Sequence, residues 1–162
     1  MTIKVGDSIP DSEVFVLGEG GPEGVSASKM FAGKKVAVFG VPGAFTRTCS
    51  AQHLPGFVNN ADAIKAKGID AIAVTSVNDA FVMDAWKGAS GAEGKVDLFL
   101  ADGNGDFAKA TGLHVDDSDK GRGIRSRRYS MIVEDGVVTV LNIEETSGKA
   151  EISGAENLIK QL

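Results

Sequence analysis

Val36-Ala-Val-Phe-Gly-Val-Pro-Gly-Ala-Phe-Thr-Arg-Thr-Cys-Ser-Ala-Gln-His-Leu-Pro-Gly-Phe57 reads as a buried strand, a turn and then a helix. Val36 to Val41 is an apolar run, as in a strand covered on both faces. Pro42 and Gly43 cannot continue it and impose a turn. Thr46 and Thr48 are N-cap candidates for the helix that follows. Cys49, the only cysteine of the chain, then falls in or near the first helical turn.

A thiol reacts as its anion. The unpaired N–H groups and positive dipole end of a helix N-terminus favour that anion, and a nearby arginine adds to the effect. Two readings therefore stand for Cys49. It is a small buried hydrophobe, as free cysteines commonly are, or it is a nucleophile, for which the strand–turn–helix setting and a hydroxyl three residues upstream argue.

Pro42-Gly43-Ala44-Phe45-Thr46-Arg47-Thr48-Cys49-Ser50, continuing to His53-Leu54-Pro55-Gly56-Phe57, resembles the active-site segment of peroxiredoxins, most closely the peroxiredoxin-5 or type II subfamily. The family pattern of Pro, three residues, Thr or Ser, two residues and Cys is met at Pro42, Thr46 and Cys49. Arg125-Ser-Arg-Arg-Tyr-Ser-Met131 resembles the segment carrying the family's essential arginine, which aligns with Arg128. Ser76-Val-Asn-Asp-Ala-Phe-Val-Met-Asp-Ala-Trp86 is similar to the subfamily as well, and the resemblance spans essentially the whole chain.

The 162 residues are enough for a single domain, 1–162, with a substantial core. No apolar run approaches the length needed to cross a bilayer. Met1 to Ser8 has no signal-peptide pattern, and one cysteine permits no intramolecular disulfide, so a cytosolic, reducing compartment is expected. A net charge of −5 argues against a general nucleic-acid binder. The local exception is Lys120 to Arg128, five cations in nine residues. It reads either as a solvated loop or as the source of an arginine facing the sulfur.

Outward from the opening stretch, Glu13–Val16 and Val25 flank a Gly-rich hairpin or surface loop, and Ala27–Phe31 is a short helical turn. Asn60–Lys67 reads as a helix stopped by Gly68, and Ile69–Val77 as a strand. Asn78–Lys87 is an amphipathic helix with Phe81, Val82, Ala85 and Trp86 on its inner face. Val96–Leu100 is a strand and Asp106–Thr111 a helix ended by Gly112. Arg127–Glu134 and Val137–Ile143 are strands joined at Asp135-Gly136, a hairpin signal. Ser153 and Glu156 form a capping-box pattern ahead of a helix over Ala155–Leu162. Alternating strands and helices followed by a hairpin predict an α/β domain: a mixed central sheet flanked by helices on both faces. The resemblance implies a thioredoxin-like fold.

The resemblance also implies a thiol-dependent peroxidase without cofactor or metal, reducing hydrogen peroxide and organic hydroperoxides through a Cys49 sulfenic acid. Catalytic roles fall on Cys49, Thr46, Arg128 and Pro42. Thr46 would accept from the peroxide O–H while its hydrogen points at the sulfur; its alternative is a plain helix cap. Arg128 would stabilise the thiolate and the developing oxyanion, and Pro42 would shield the sulfur. Thr48 and Gly43 are substrate-binding candidates. Arg125 and Arg127 are alternatives to Arg128; on a strand, Arg127 and Arg128 face opposite ways, so only one reaches the sulfur. His53, four residues after Cys49, is a partner to the site, half of a metal pair, or a helix-face or interface residue. The sulfur is expected beside a guanidinium and reachable from solvent. Second thiols found in other subfamily members would align near Val74 or Ile152. Their lack here implies an external reductant, glutathione with glutaredoxin or thioredoxin. A homodimer is implied too, with Phe45 and Asn78–Phe81 as apolar candidates; filling the core is the alternative for Phe81. A non-enzymatic redox sensor is the rival reading.

Overall fold

The computed structural model describes residues 1–162. Its strands are β1 (Glu13–Gly18), β2 (Gly21–Ser26), β3 (Lys35–Gly40), β4 (Ala71–Ser76), β5 (Leu98–Ala101), β6 (His114–Asp116), β7 (Ile124–Ser126), β8 (Tyr129–Glu134) and β9 (Val137–Ile143). Its α-helices are α1 (Ala27–Phe31), α2 (Leu54–Asn59), α3 (Ala61–Ala66), α4 (Ala80–Ala89), α5 (Asp106–Thr111) and α6 (Ala155–Lys160). Seven strands form one sheet in the order β2-β1-β5-β4-β3-β8-β9, parallel through β5, β4 and β3 and antiparallel elsewhere. β6 and β7 pair apart from it.

Pleating splits the apolar strand residues between two cores. Ala37, Phe39, Ile72 and Val74 face α2, α3, α4 and α6 through Leu54, Phe57, Ile64, Trp86 and Leu158. Val36, Val38, Ala73 and Met131 face α1 and α5 through Phe31 and Phe107. This is the mixed sheet with helices on both faces that the element order predicts.

Several local expectations are revised. The Gly-rich stretch between Leu17 and Gly24 is mostly strand: Leu17 pairs with Pro22 and Gly18 with Gly21, leaving a two-residue turn. On α4 the buried residues are Ala80, Met83 and Trp86; Phe81 is 60% exposed and Ala85 is also exposed. Residue 81 points away because the helix follows the 80, 83, 86 spacing onto the sheet. Arg127 and Arg128 precede β8 rather than opening it, and residues 124–126 pair with β6 instead. Ser153 does not cap α6; Gly154 holds that position, and the Ser153 N–H and hydroxyl both donate to Glu144.

Candidate active site

The site forms where β3 and β4 end. Beyond Gly40 the chain turns through Val41, Pro42, Gly43 and Ala44, all buried. Phe45 follows with φ +62, a backbone conformation strained for a bulky residue, and its ring is 55% exposed. The loop is tied to the end of β4: the Ala44 N–H donates to Asn78 Oδ1 at 3.0 Å, and the Ser76 hydroxyl donates to the same oxygen at 2.6 Å. Helical backbone begins at Arg47 and Thr48 and widens into a π-helical turn over Cys49–His53, with the Leu54 N–H bonded to Cys49 O. Pro55 supplies a physical reason for the wide turn. It has no N–H to donate and its ring crowds the carbonyl four residues back, so the ladder shifts register ahead of it. Trp86 Nε1 donates to the Ser50 hydroxyl at 3.1 Å, joining α4 to this turn.

Neither threonine caps the helix through its hydroxyl. Thr46 Oγ1 donates to Gly43 O at 2.6 Å, and Thr48 Oγ1 donates to Gly148 O at 3.2 Å. The Thr46 hydrogen is therefore committed to Gly43 rather than aimed at the sulfur, while the oxygen keeps lone pairs with which to accept. Gly43 is also confined sterically, since a Cβ there would lie 3.1 Å from the Thr46 methyl.

Sheet register delivers the arginine. Gly40 pairs with Tyr129 across β3 and β8, so Arg128 comes beside the chain as it turns toward Pro42. A Cβ at Gly40 would run into the Tyr129 ring, so only glycine permits this approach. Arg128 is buried and all three guanidinium nitrogens are engaged. NH2 donates to Cys49 Sγ at 3.1 Å, NH1 to His53 Nδ1 at 3.0 Å, and Nε to Ser147 O at 2.9 Å. This separates the three arginines. Arg125 holds Val77 O and Arg122 O instead, and Arg127 lies outside the cluster.

His53 is buried between Phe39 and Phe57. Burial, and secondarily the adjacent Arg128 charge, lower its pKa from 6.5 to about 3, so the ring is neutral at neutral pH. A neutral ring accepts from Arg128 at Nδ1 and donates from Nε2–H to Ser153 O at 3.0 Å. Both nitrogens are thus used within the protein, which assigns His53 as a partner that positions Arg128 rather than a metal ligand or a surface residue.

Sequence reasoning missed the β9–α6 loop. Glu144 is buried there, its N–H donates to Arg128 O at 2.9 Å, and its carboxylate accepts both Ser153 donors at 2.7 and 2.6 Å. That clip sets the carbonyls of Ser147 and Ser153 against Arg128 and His53. Backbone carbonyls carry no side-chain signature; the one available signal was a glutamate in an otherwise strand-like end of β9.

A cavity of about 400 Å³ opens over the cluster. Pro42 and Arg128, both buried, form its inner wall with Thr46, while Phe45 and Arg47 are exposed at its rim. Cys49 has no exposed surface of its own, against the expectation of a sulfur open to solvent. Of the inner-wall residues, Arg128 lies directly against the sulfur, its NH2 3.1 Å from Sγ. A hollow of about 530 Å³ between α2 and α6 contains none of these residues.

The fold thus sets a lone buried cysteine, in the helical turn that follows the loop after β3, against an arginine donor, and together with its relatives this places the chain in the class of thiol-dependent peroxidases. The redoxin family model matches residues 4–159, and the chain belongs to that family, among its peroxiredoxins. It is 53% identical over 161 residues to peroxiredoxin-2C of Oryza sativa subsp. japonica, covering 99% of this chain and 98% of that protein. It is 49% identical over 165 residues to the chloroplastic peroxiredoxin-2E of Arabidopsis thaliana, covering 99% of this chain and 70% of that protein. Among solved structures, reduced Prx3 of Vibrio vulnificus in complex with hydrogen peroxide matches with a TM-score of 0.93 at 47% identity, covering 99% of each chain. Peroxiredoxin 5 of Alvinella pompejana matches with a TM-score of 0.84 at 34% identity, again over 99% of each.

Proposed function

We propose a one-cysteine catalytic cycle on Cys49. The sulfur anion attacks one oxygen of hydrogen peroxide or an organic hydroperoxide. An S–O bond forms, the O–O bond breaks, and the leaving oxygen takes a proton to depart as water or alcohol. Arg128 carries this reading: its N–H, 3.1 Å from Sγ, stabilises negative charge on the sulfur and lies close enough to meet charge growing on the peroxide. The Thr46 oxygen accepts the peroxide O–H, Pro42 walls out water, and Gly43 and Thr48 shape the bound position.

No second sulfur exists to resolve the sulfenic acid, so an external thiol does so. Near the positions where the resemblance would align a second thiol, Val74 lies buried in β4 and Ile152 stands on the surface. Glutathione would release water and leave a mixed disulfide at Cys49; glutaredoxin and a second glutathione would then restore the thiol. Thioredoxin is the other donor. Titration with one equivalent of peroxide, mass spectrometry of Cys49, then addition of each donor tests the cycle. One added oxygen on Cys49 followed by a glutathione adduct is expected. No addition at Cys49, or recovery without any thiol, overturns it.

The exposed Phe45 and Phe81 support a homodimer through this face. The Ala44–Asn78 bond ties the loop that carries Phe45 to the segment leading into α4, which carries Phe81, and both exposed rings offer apolar surface to a second copy. A reducing cytosolic setting suits a chain that depends on an external thiol.

A further inference from the structure

We propose that the rim of the Cys49 cavity is a carboxylate-binding subsite formed by Arg47 and Arg122, selecting an anionic group on one of the molecules that react with the sulfur. The chain as a whole carries a net charge of −5, yet this cavity is lined by three arginines and no acidic residue. Arg128 is fully committed inside. Arg122 gives one nitrogen to Asp117 Oδ2 at 3.1 Å. Arg47 makes no ion pair and no side-chain hydrogen bond. A rim on which Arg47 is unpaired and Arg122 is only partly neutralised by Asp117 raises the local concentration of anions, and planar guanidinium groups match a carboxylate with two parallel bonds.

Size points the same way. Hydrogen peroxide occupies about the space of two waters, each roughly 30 Å³. A cavity of about 400 Å³ is several times larger than that reactant needs. The exposed Phe45 ring adds an apolar wall beside the charges. A carboxylate on an organic stem is thus the chemistry that fits. Its source is either the peroxide, as in a fatty-acid hydroperoxide, or the reducing thiol, as in glutathione. The second source rests on the external-thiol cycle proposed above; the first does not.

The test compares acid and ester forms in each half of the reaction. In the oxidation arm, stopped-flow rates of Cys49 are measured with linoleic acid hydroperoxide and with its methyl ester. In the reduction arm, preformed sulfenic acid is mixed with glutathione and with its diethyl ester. Arg47→Gln, Arg122→Gln and the double variant are compared with the native chain. Using ratios cancels any general change in the enzyme. The acid-to-ester ratio is expected to fall about 3-fold per arginine and about 10-fold in the double variant, in one arm. In the native protein it should shrink as salt rises from about 0.02 to 0.3 M. A fall in the oxidation arm assigns the subsite to the peroxide; a fall in the reduction arm assigns it to the thiol. Ratios equal to the native value in both arms, even for the exposed and structurally unengaged Arg47, overturn the proposal. Failure of every thiol to reduce the native sulfenic acid would remove the external-thiol cycle instead and leave the oxidation arm decisive.

Discussion

Three bonds on one guanidinium decide the behaviour of a single sulfur. Arg128 reaches Cys49, His53 and Ser147 O at once because its nitrogens form a rigid planar fork. Lysine keeps the charge but has no fork, so Arg128→Lys should resemble Arg128→Met: both should lose about 100-fold or more in the rate of peroxide consumption. Stopped-flow oxidation of the reduced protein measures this; near-native activity in the lysine variant would show that charge alone suffices. His53 gives a pH signature. Unfolded, it titrates near 6.5; folded, at about 3, because burial and then Arg128 disfavour its cation. Between those values the unfolded chain binds a proton that the folded chain refuses. Its contribution to stability is complete above pH 6.5 and is lost as pH falls toward 3. Denaturant unfolding of His53→Gln should therefore weaken less with acid over that window than the native protein does. Parallel curves would contradict the assignment, since all other titrating groups are shared.

At the scale of elements, the site is a meeting of chain ends braced from behind. Glu144 joins the end of β9 to Ser153 just before α6. Its removal in Glu144→Ala leaves buried donors unmet, a cost of about 2–3 kcal/mol in stability. Amide exchange over residues 144–153 should quicken, with peroxidase rate dropping about 10-fold as Arg128 loses its fixed carbonyl. Unchanged exchange in that loop would sink the bracing role. Gly40→Ala drives a methyl into Tyr129 and should cost about 1–3 kcal/mol, read as a lower melting temperature. Much of this level was legible in the chain. The apolar run at Val36, the Asp135-Gly136 turn with both residues at positive φ, and the spacing from Pro42 to Cys49 each have local causes. What was hidden depends on contacts far apart in sequence. Phe81 and Met83 have similar apolarity, and only the docking angle of α4 decides which is buried. Ser153 looked like a helix cap until Glu144, nine residues earlier, claimed its donors. The π-turn over Cys49–His53 was not read from the sequence either, although Pro55, which has no N–H to donate, is its local cause.

Over the whole molecule, the twisted sheet separates two jobs. The interior of the sheet, sealed by two apolar cores, holds β3, β4 and β8 in fixed register, and the loops at their ends gather the reactive groups on one side. That same side carries Phe45 and Phe81. If a second copy covers them, Phe81→Glu should raise the dimer dissociation constant roughly 30-fold, the equivalent of about 2 kcal/mol. Sedimentation equilibrium reads this directly, and an identical constant in the variant would place the interface elsewhere. No helix is long and apolar enough to cross a membrane.

The central claim is that the fold arranges Arg128 and its neighbours to speed attack on an O–O bond, beyond exposing or ionising a thiol. The direct measurement is a pair of second-order rate constants for Cys49, with hydrogen peroxide and with iodoacetamide, in the folded protein and in the same chain unfolded at the same pH. The folded protein should react with peroxide about 1,000-fold faster than the unfolded chain, while its alkylation, with the sulfur covered, should be no faster. Equal acceleration toward both reagents, or none toward peroxide, would contradict it.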